Sequence, residues 1–490
     1  MTTTTDLRTI LTDTPTRLLI GGAWRDAAGG ATFDVHDPAT GEVLAAVADA
    51  DQSDGRDALD AACAAQDEWA ATPSRTRAEI LRAAFELTTE RSEQLATLMT
   101  LEMGKPLAEA RGEVVYGGEF LRWFSEEAAH VNGRVQKSPE GNLHILATKR
   151  PVGPALFITP WNFPLAMATR KIAPALAAGC TTLLKPAALT PLTALAFGQI
   201  LIDAGVPAGV VSILPTSRAQ AVTGPLIQDR RLRKLSFTGS TEVGVALLKE
   251  AADNVLRTSM ELGGCAPFIV FEDADVDKAV AGARQAKLRN MGEACTAANR
   301  FYVHASVVER FEAALTAEFE GLTVGPGGEA GVDVGPLISD TQRDKVHALV
   351  TDAKDSGARV LLGGEKPDGP GYFYPPTVLG GVPSTARVLT EEIFGPVAPI
   401  AVFHDEDEVV ALANASEVGL ATYVYTSDLS RIMRLSERLE SGIIGVNTGL
   451  VSNAAAPFGG VKHSGLGREG GTEGIDEFLE TVYLGIPAGR

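Results

Sequence analysis

Cys295 closes the segment Asn290-Met291-Gly292-Glu293-Ala294-Cys295, and Glu261 stands upstream in Met260-Glu261-Leu262-Gly263-Gly264. A thiol in a glycine-containing turn can attack an electrophilic carbon, and a carboxylate on a separate loop can activate the water that completes the reaction. A third segment, Thr159-Pro160-Trp161-Asn162-Phe163-Pro164, ends an apolar run and carries a side-chain amide suited to an oxyanion. A lone cysteine is ordinarily a buried packing residue. Cys63, Cys180 and Cys265 have no special context and are read that way. For Asn162 the ordinary reading is a helix cap, and for Glu261 a surface carboxylate.

These residues must be positioned by a large fold. With 490 residues the chain exceeds a single core, and 45% hydrophobic with 21% charged residues is the composition of a soluble globular protein. No apolar run reaches the length of a membrane span. Met1–Asp6 lacks the basic start and apolar core of a signal peptide and reads as a frayed tail. A formal charge of −19, from 62 acidic against 43 basic residues, argues against nucleic-acid and anionic-membrane partners. Four dispersed cysteines without a CxxC pair, and seven scattered histidines, give neither a disulfide framework nor a metal site, and they suit a reducing cytoplasm.

Residues 17–50 read as short antiparallel strands, and 54–130 as helices with i, i+3, i+4 apolar spacing. Residues 133–150 read as a projecting β-hairpin. From 152 to 262, apolar runs at 155–159, 181–184, 210–214 and 234–237 alternate with helical segments near 164–177, 191–204, 218–228 and 241–253. This is the pattern of βαβ units on a mostly parallel sheet. After Glu261 a second series places strands near 267–271, 300–304, 398–403, 421–426 and 442–446, with helices near 274–288, 305–318, 340–356 and 428–438. The expected fold is α/β, with a nucleotide-binding domain (1–131 and 151–260), a catalytic domain (261–445) and an oligomerisation arm (132–150 and 470–490). The tail strand near 480–485 is expected to pair with the hairpin of a neighbouring subunit.

The cysteine, glutamate and asparagine segments, with Phe458-Gly459-Gly460-Val461-Lys462-His463-Ser464-Gly465, resemble the aldehyde dehydrogenase superfamily from about residue 17 to 484. The resemblance implies two Rossmann-like α/β domains with a hairpin arm, a homodimer or homotetramer, and a cysteine thiohemiacetal that becomes a thioester. Cys295 is then the nucleophile, Glu261 the general base and Asn162 the oxyanion donor. Relatives often carry Gly-Gln before the cysteine. Here Glu293 takes the glutamine's place and is expected to face away from the thiol, because an inward carboxylate would oppose thiolate formation. Ala297 stands where some relatives carry a redox-switching second cysteine.

For the cofactor, Gly325-Pro326-Gly327-Gly328 is a loose fingerprint spoiled by its proline, and it reads as a surface loop. Gly239 and Gly244 follow a strand and open a helix, a spacing that matches the family's variant of the dinucleotide turn. The resemblance places Thr159, Pro160, Trp161, Ser240 and Leu262 beside the cofactor, Lys185 at the adenine-side ribose, and Glu392 with Phe394 at the nicotinamide ribose. NAD-preferring relatives carry a glutamate where this chain has Ala188. A 2′-phosphate therefore meets less repulsion beside Lys185, with Arg218 as a further positive partner, and NADP is expected over NAD.

Arg170, Arg289 and Ser452 occupy contexts that bind the distal carboxylate in the succinate-semialdehyde dehydrogenase branch. Either arginine alone would more often be a structural ion pair. The expected reaction is oxidation of succinate semialdehyde or a similar short ω-oxo acid. Competing readings are an enzyme for uncharged or longer aldehydes such as glutarate semialdehyde, a cofactor-free cysteine esterase, a CoA-acylating enzyme and a non-catalytic scaffold.

Overall fold

The computed structural model describes residues 9–489. The expected frayed tail at Met1–Asp6 lies outside them. Two mostly parallel sheets organise the chain. The first has eight strands, and Ala155–Ile158, Thr182–Lys185, Val211–Ile213, Lys234–Thr238 and Arg257–Glu261 form its parallel body. Ala155–Ile158 is a continuous apolar run, as expected of a strand covered by helices on both faces, whereas Arg257–Glu261 is largely polar. Leu18–Ile20 and Ala23–Arg25 close one edge antiparallel. At the other edge Gly465–Leu466 pairs antiparallel with Met260 and Glu261, which the sequence pattern did not reveal.

The second sheet has seven strands, beginning with Ala266–Val270 five residues beyond Glu261, so Glu261 lies where the chain leaves one sheet for the other. Ala298–His304, Val397–Phe403, Ala421–Tyr425 and Ile443–Val446 lie within two residues of the expected ranges. Arg359–Leu362, Thr377–Gly380 and the helix Glu406–Asn414 were not anticipated. The 54–130 region divides into four helices, the last being Leu107–Glu127, which runs beside the helix Ala166–Ala178.

The arm differs from the expectation. Leu479–Pro487 pairs residue by residue with Leu143–Pro151 of the same chain, from Leu479 opposite Pro151 to Pro487 opposite Leu143. Arg134–Lys137 adds a third strand. Intrachain pairing satisfies the tail's backbone donors locally, so no neighbouring subunit is needed to order it. The loop at Gly325 is likewise not purely superficial. A Cβ on Gly327 would lie 2.5 Å from the Lys105 carbonyl, so the glycine there serves a close backbone approach.

Candidate active site

Cys295 is approached through a strained turn. Asn290, Met291 and Gly292 are consecutive left-handed residues, at φ 56°, 54° and 77°. Two such non-glycine residues cost of order 1–3 kcal/mol each and persist only where surroundings impose them. Here the Asn290 N–H donates to Glu109, and the Asn290 amide donates to the carbonyls of Asn162 (3.0 Å) and Glu293 (2.9 Å). A Cβ on Gly292 would lie 2.3 Å from the Gly395 carbonyl, so only glycine fits there. The thiol is partly exposed. Burial nonetheless pushes it up to about 12, with Arg170 and Arg289 opposing the rise and Glu392 and Glu261 adding to it.

Asn162 is held at its side-chain amide nitrogen, its Oδ1 and its carbonyl. Its amide donates to the Glu293 carbonyl at 3.0 Å, its Oδ1 accepts the Phe163 N–H at 3.1 Å, and its carbonyl accepts Lys105 Nζ at 2.8 Å. The second amide hydrogen is left for an oxyanion. Lys105 is fully buried against Glu113, which also accepts the N–H groups of Leu165 and Ala166 at the start of the next helix.

Glu261 contrasts with this. It is buried at the strand end, and neither carboxylate oxygen finds a hydrogen-bond partner among the described residues. Burial, reinforced by the negative charge of Glu469, raises its pKa well above the usual carboxylate range, against Arg170 and Lys171. Burial also works against ionisation of Glu469, yet Arg170 and Lys171 together hold it below its ordinary value. Arg170 contacts Glu469 at 2.6 Å and lies 4.1 Å over the Phe458 ring, while Lys171 donates to Glu469 and to Ser236.

Arg289 and Ser452 come together, with Nη1 donating to Oγ at 3.1 Å and the guanidinium lying over Phe163 (4.9 Å) and Tyr116 (5.5 Å). Both line a cavity of about 1320 Å³ beside the Leu107–Glu127 helix. Its lining reaches Phe163 and Arg289 but includes none of Cys295, Glu261 and Arg170. Arg170 is thus committed to a buried ion pair rather than to the cavity wall where its expected partners stand. Glu293 is fully buried and accepts the Ile338 N–H at 3.1 Å, so its carboxylate turns toward that loop. Burial raises its pKa well above the usual range.

On the other side of the thiol, Lys185 is buried at a strand end with no carboxylate against it, and burial alone lowers it to about 8. Ala188 beside it brings no charge. Glu392 accepts the Gly264 N–H at 3.3 Å, and burial pushes it up to about 7. Phe394, at φ 54°, meets Trp161 edge-to-face at 5.5 Å. Thr159 and Pro160 continue the same turn from the end of the Ala155–Ile158 strand. Ser240 caps the helix Thr241–Ala252, accepting the Val243 N–H. The expected reason for the two glycines changes. A Cβ on Gly239 would meet the Phe237 ring at 2.4 Å, and one on Gly244 would meet Leu262 at 2.4 Å, so both make room first for protein. Arg218 is exposed, 3.7 Å from Asp49. An uncompensated lysine, an uncharged neighbour, a capped helix start and a separate buried carboxylate fit a nicotinamide dinucleotide. Among the described residues no group of acidic, histidine or cysteine side chains is placed to hold a metal.

Lys105, Glu109, Glu113, Lys171, Glu469, Lys287 and Asn299 were not singled out from sequence. The first three share a signal in retrospect, since the acids recur at i, i+4 on the same helix face as Tyr116 and Phe120.

The model of the aldehyde dehydrogenase family matches residues 24–484. The chain is 60% identical over 444 residues to succinate-semialdehyde dehydrogenase of Paenarthrobacter nicotinovorans, covering 91% of this chain and 99% of that protein. It is 49% identical over 468 residues to the NADP(+) succinate-semialdehyde dehydrogenase GabD of Escherichia coli, covering 96% and 97%. A crystal structure described as an E. coli NADP-dependent enzyme superposes with a TM-score of 0.96 at 47% identity, covering 99% of each chain.

Proposed function

We infer, for a chain that belongs to the aldehyde dehydrogenase family, that its reaction is the NAD(P)-dependent oxidation of succinate semialdehyde to succinate. The observation that carries the substrate is the Arg289–Ser452 pair on the cavity wall next to Phe163, one residue from the oxyanion turn. A guanidinium and a hydroxyl offer a distal carboxylate charge-assisted hydrogen bonds.

Cys295 adds to the aldehyde carbon, and Asn162 stabilises the oxygen that becomes negative. A nicotinamide dinucleotide held by Lys185 and Glu392 would supply the hydride acceptor for this oxidation. Glu261 then takes a proton from the water that cleaves the thioester, and the carboxylate product leaves with Cys295 restored as a thiol. Because burial raises both Cys295 and Glu261, and both act deprotonated, turnover is expected to rise with pH above neutrality and to fall as pH drops, measured as a kcat–pH profile.

Lys185 and Glu392 are read as the two ribose clamps, with Gly239, Ser240, Gly244 and Leu262 shaping the turn between them. The missing carboxylate at Ala188 and the exposed Arg218 favour NADP over NAD. The unit built on the eight-stranded sheet would hold the nucleotide, and the seven-stranded one the nucleophile. The three-stranded arm exposes Val135, Tyr483 and Ile486 and suits a homodimer or homotetramer. No described helix is long and apolar enough to cross a membrane, and the four free cysteines suit the cytoplasm.

Initial rates of nucleotide reduction with succinate semialdehyde, glutarate semialdehyde and propanal, each with NADP+ and NAD+, test this reading. Succinate semialdehyde with NADP+ is expected to give the highest kcat/KM. Arg289→Leu is expected to lower kcat/KM for the acid by about 10–100-fold and leave propanal unchanged, the size of one charge-assisted contact. Equal efficiency with propanal in the unaltered enzyme would overturn the substrate assignment and leave the dehydrogenase.

A further inference from the structure

Behind the Glu392 clamp lies a charge that the reaction as derived above does not use. Lys287, at the end of the Val276–Leu288 helix, is fully buried, and its Nζ donates to Asn299 Oδ1 at 3.1 Å. No carboxylate forms an ion pair with it among the described residues. Asn299 reaches from the strand after Cys295, and its amide meets the Gly264 carbonyl at 3.5 Å. The Gly264 N–H in turn donates to Glu392. Gly264 is held on both sides, since a Cβ there would lie 2.5 Å from the Cys295 carbonyl, and one on Gly263 would lie 3.0 Å from Glu392 Oε2. One short backbone segment therefore touches both the nucleophile's carbonyl and the clamp's carboxylate, and Lys287 pins it from behind.

We propose that Lys287 is a positioning residue for the cofactor clamp: through Asn299 it fixes the Gly264 backbone on which Glu392 rests, and it sets a buried positive charge opposite that carboxylate. An ammonium without an ion-pair partner is costly to bury, and a hydrophobic residue of the same length would be cheaper. Burial pulls Lys287 down to about 7, while Cys265 and Glu392 oppose the fall. The groups facing Glu392 are Lys287, Lys345 and the thiols Cys265 and Cys295. Lys345 is exposed, so solvent screens it, whereas Lys287 acts through protein. Removing the Lys287 charge therefore makes Glu392 harder to ionise, and a protonated Glu392 accepts ribose hydroxyls poorly.

The inference rests on the reading of Glu392 as a ribose clamp, and the test separates the two. NADP+ is titrated into the full-length unaltered protein, Lys287→Met and Glu392→Gln without aldehyde, reading Kd by fluorescence across the neutral range. In the unaltered protein affinity is expected to fall as pH drops through about 7, where Glu392 protonates. Lys287→Met is expected to move that midpoint upward, by less than a full unit because Lys287 itself loses its charge near about 7. Glu392→Gln is expected to bind weakly with no such midpoint. A Lys287→Met midpoint and Kd identical to the unaltered protein would overturn the proposal, whereas full-affinity, pH-sensitive binding by Glu392→Gln would overturn the clamp itself. Asn299→Leu keeps the charge and cuts the link. It is expected to raise Kd severalfold without moving the midpoint, and an unchanged Kd would refute the mechanical half.

Discussion

The two sides of the thiol are built on opposite principles. On the Asn162 side the side-chain amide, Oδ1 and carbonyl of Asn162 are tied down by Glu293, Phe163, Lys105 and Asn290, and a buried ion pair between Lys105 and Glu113 stands behind them. On the Glu261 side the carboxylate has no partner, and its neighbour Glu469 competes for the same positive charges. The first arrangement suits a group that must not reorganise while charge develops on the substrate oxygen. The second suits a group that must gain and lose a proton within one turnover. The contrast teaches that rigidity in this site follows the task of each residue, not its distance from the nucleophile.

The largest effect is expected on the loose side. Glu261→Gln should lower steady-state turnover by about 10²–10⁴-fold, since it removes the base and leaves the acylation machinery in place. A pre-steady-state burst of reduced nucleotide equal to the site concentration would show acylation intact. Loss of the burst together with turnover would mean Glu261 is needed earlier. On the rigid side, Asn162→Ala should cost about 10²–10³ in kcat with no burst surviving, the loss of one oxyanion donor. Should KM rise instead while kcat holds, the amide binds substrate and does not stabilise the oxyanion. The smallest effect sharpens the comparison most. Glu469→Gln removes a charge that adds to burial in raising Glu261, so the acidic limb of the rate profile should shift to lower pH. A profile that does not move would mean the two carboxyls do not communicate.

Sequence and structure agree where chemistry sits at a break in a regular pattern. Cys295, Glu261 and Asn162 each follow or end an element near Gly or Pro, and the strand before Asn162 is a continuous apolar run. What escaped was charge that is buried rather than solvated. Glu113 and Lys171 lie in helices and Lys105 in the short link between two of them, all charged positions that read as surface. Lys105 and Glu113 pair across 8 residues, whereas the partner of Lys171, Glu469, is 298 residues away. Arg170 shows the same difficulty from the other direction. Its local context pointed to the substrate, while its ion-pair partner lies in a segment that periodicity could not place against it. The strands at 359–362 and 377–380 went unseen because glycine and proline crowd the residues between them.

The short strand Gly465–Leu466 has a consequence for how the protein is made. It completes the edge of the sheet that ends at Glu261, and Glu469 and Glu477 just beyond it reach Arg170, Lys171 and Lys234. During synthesis Glu261, Asn162 and Cys295 all leave the ribosome long before these residues do. The nascent chain therefore carries the full set of reactive groups while the hydrolytic half of the site is still open to water, with Arg170 and Lys171 uncompensated. Such long-range closure is slow compared with forming the individual βαβ units. Folding and catalytic competence are thus expected to arrive together, at the last step.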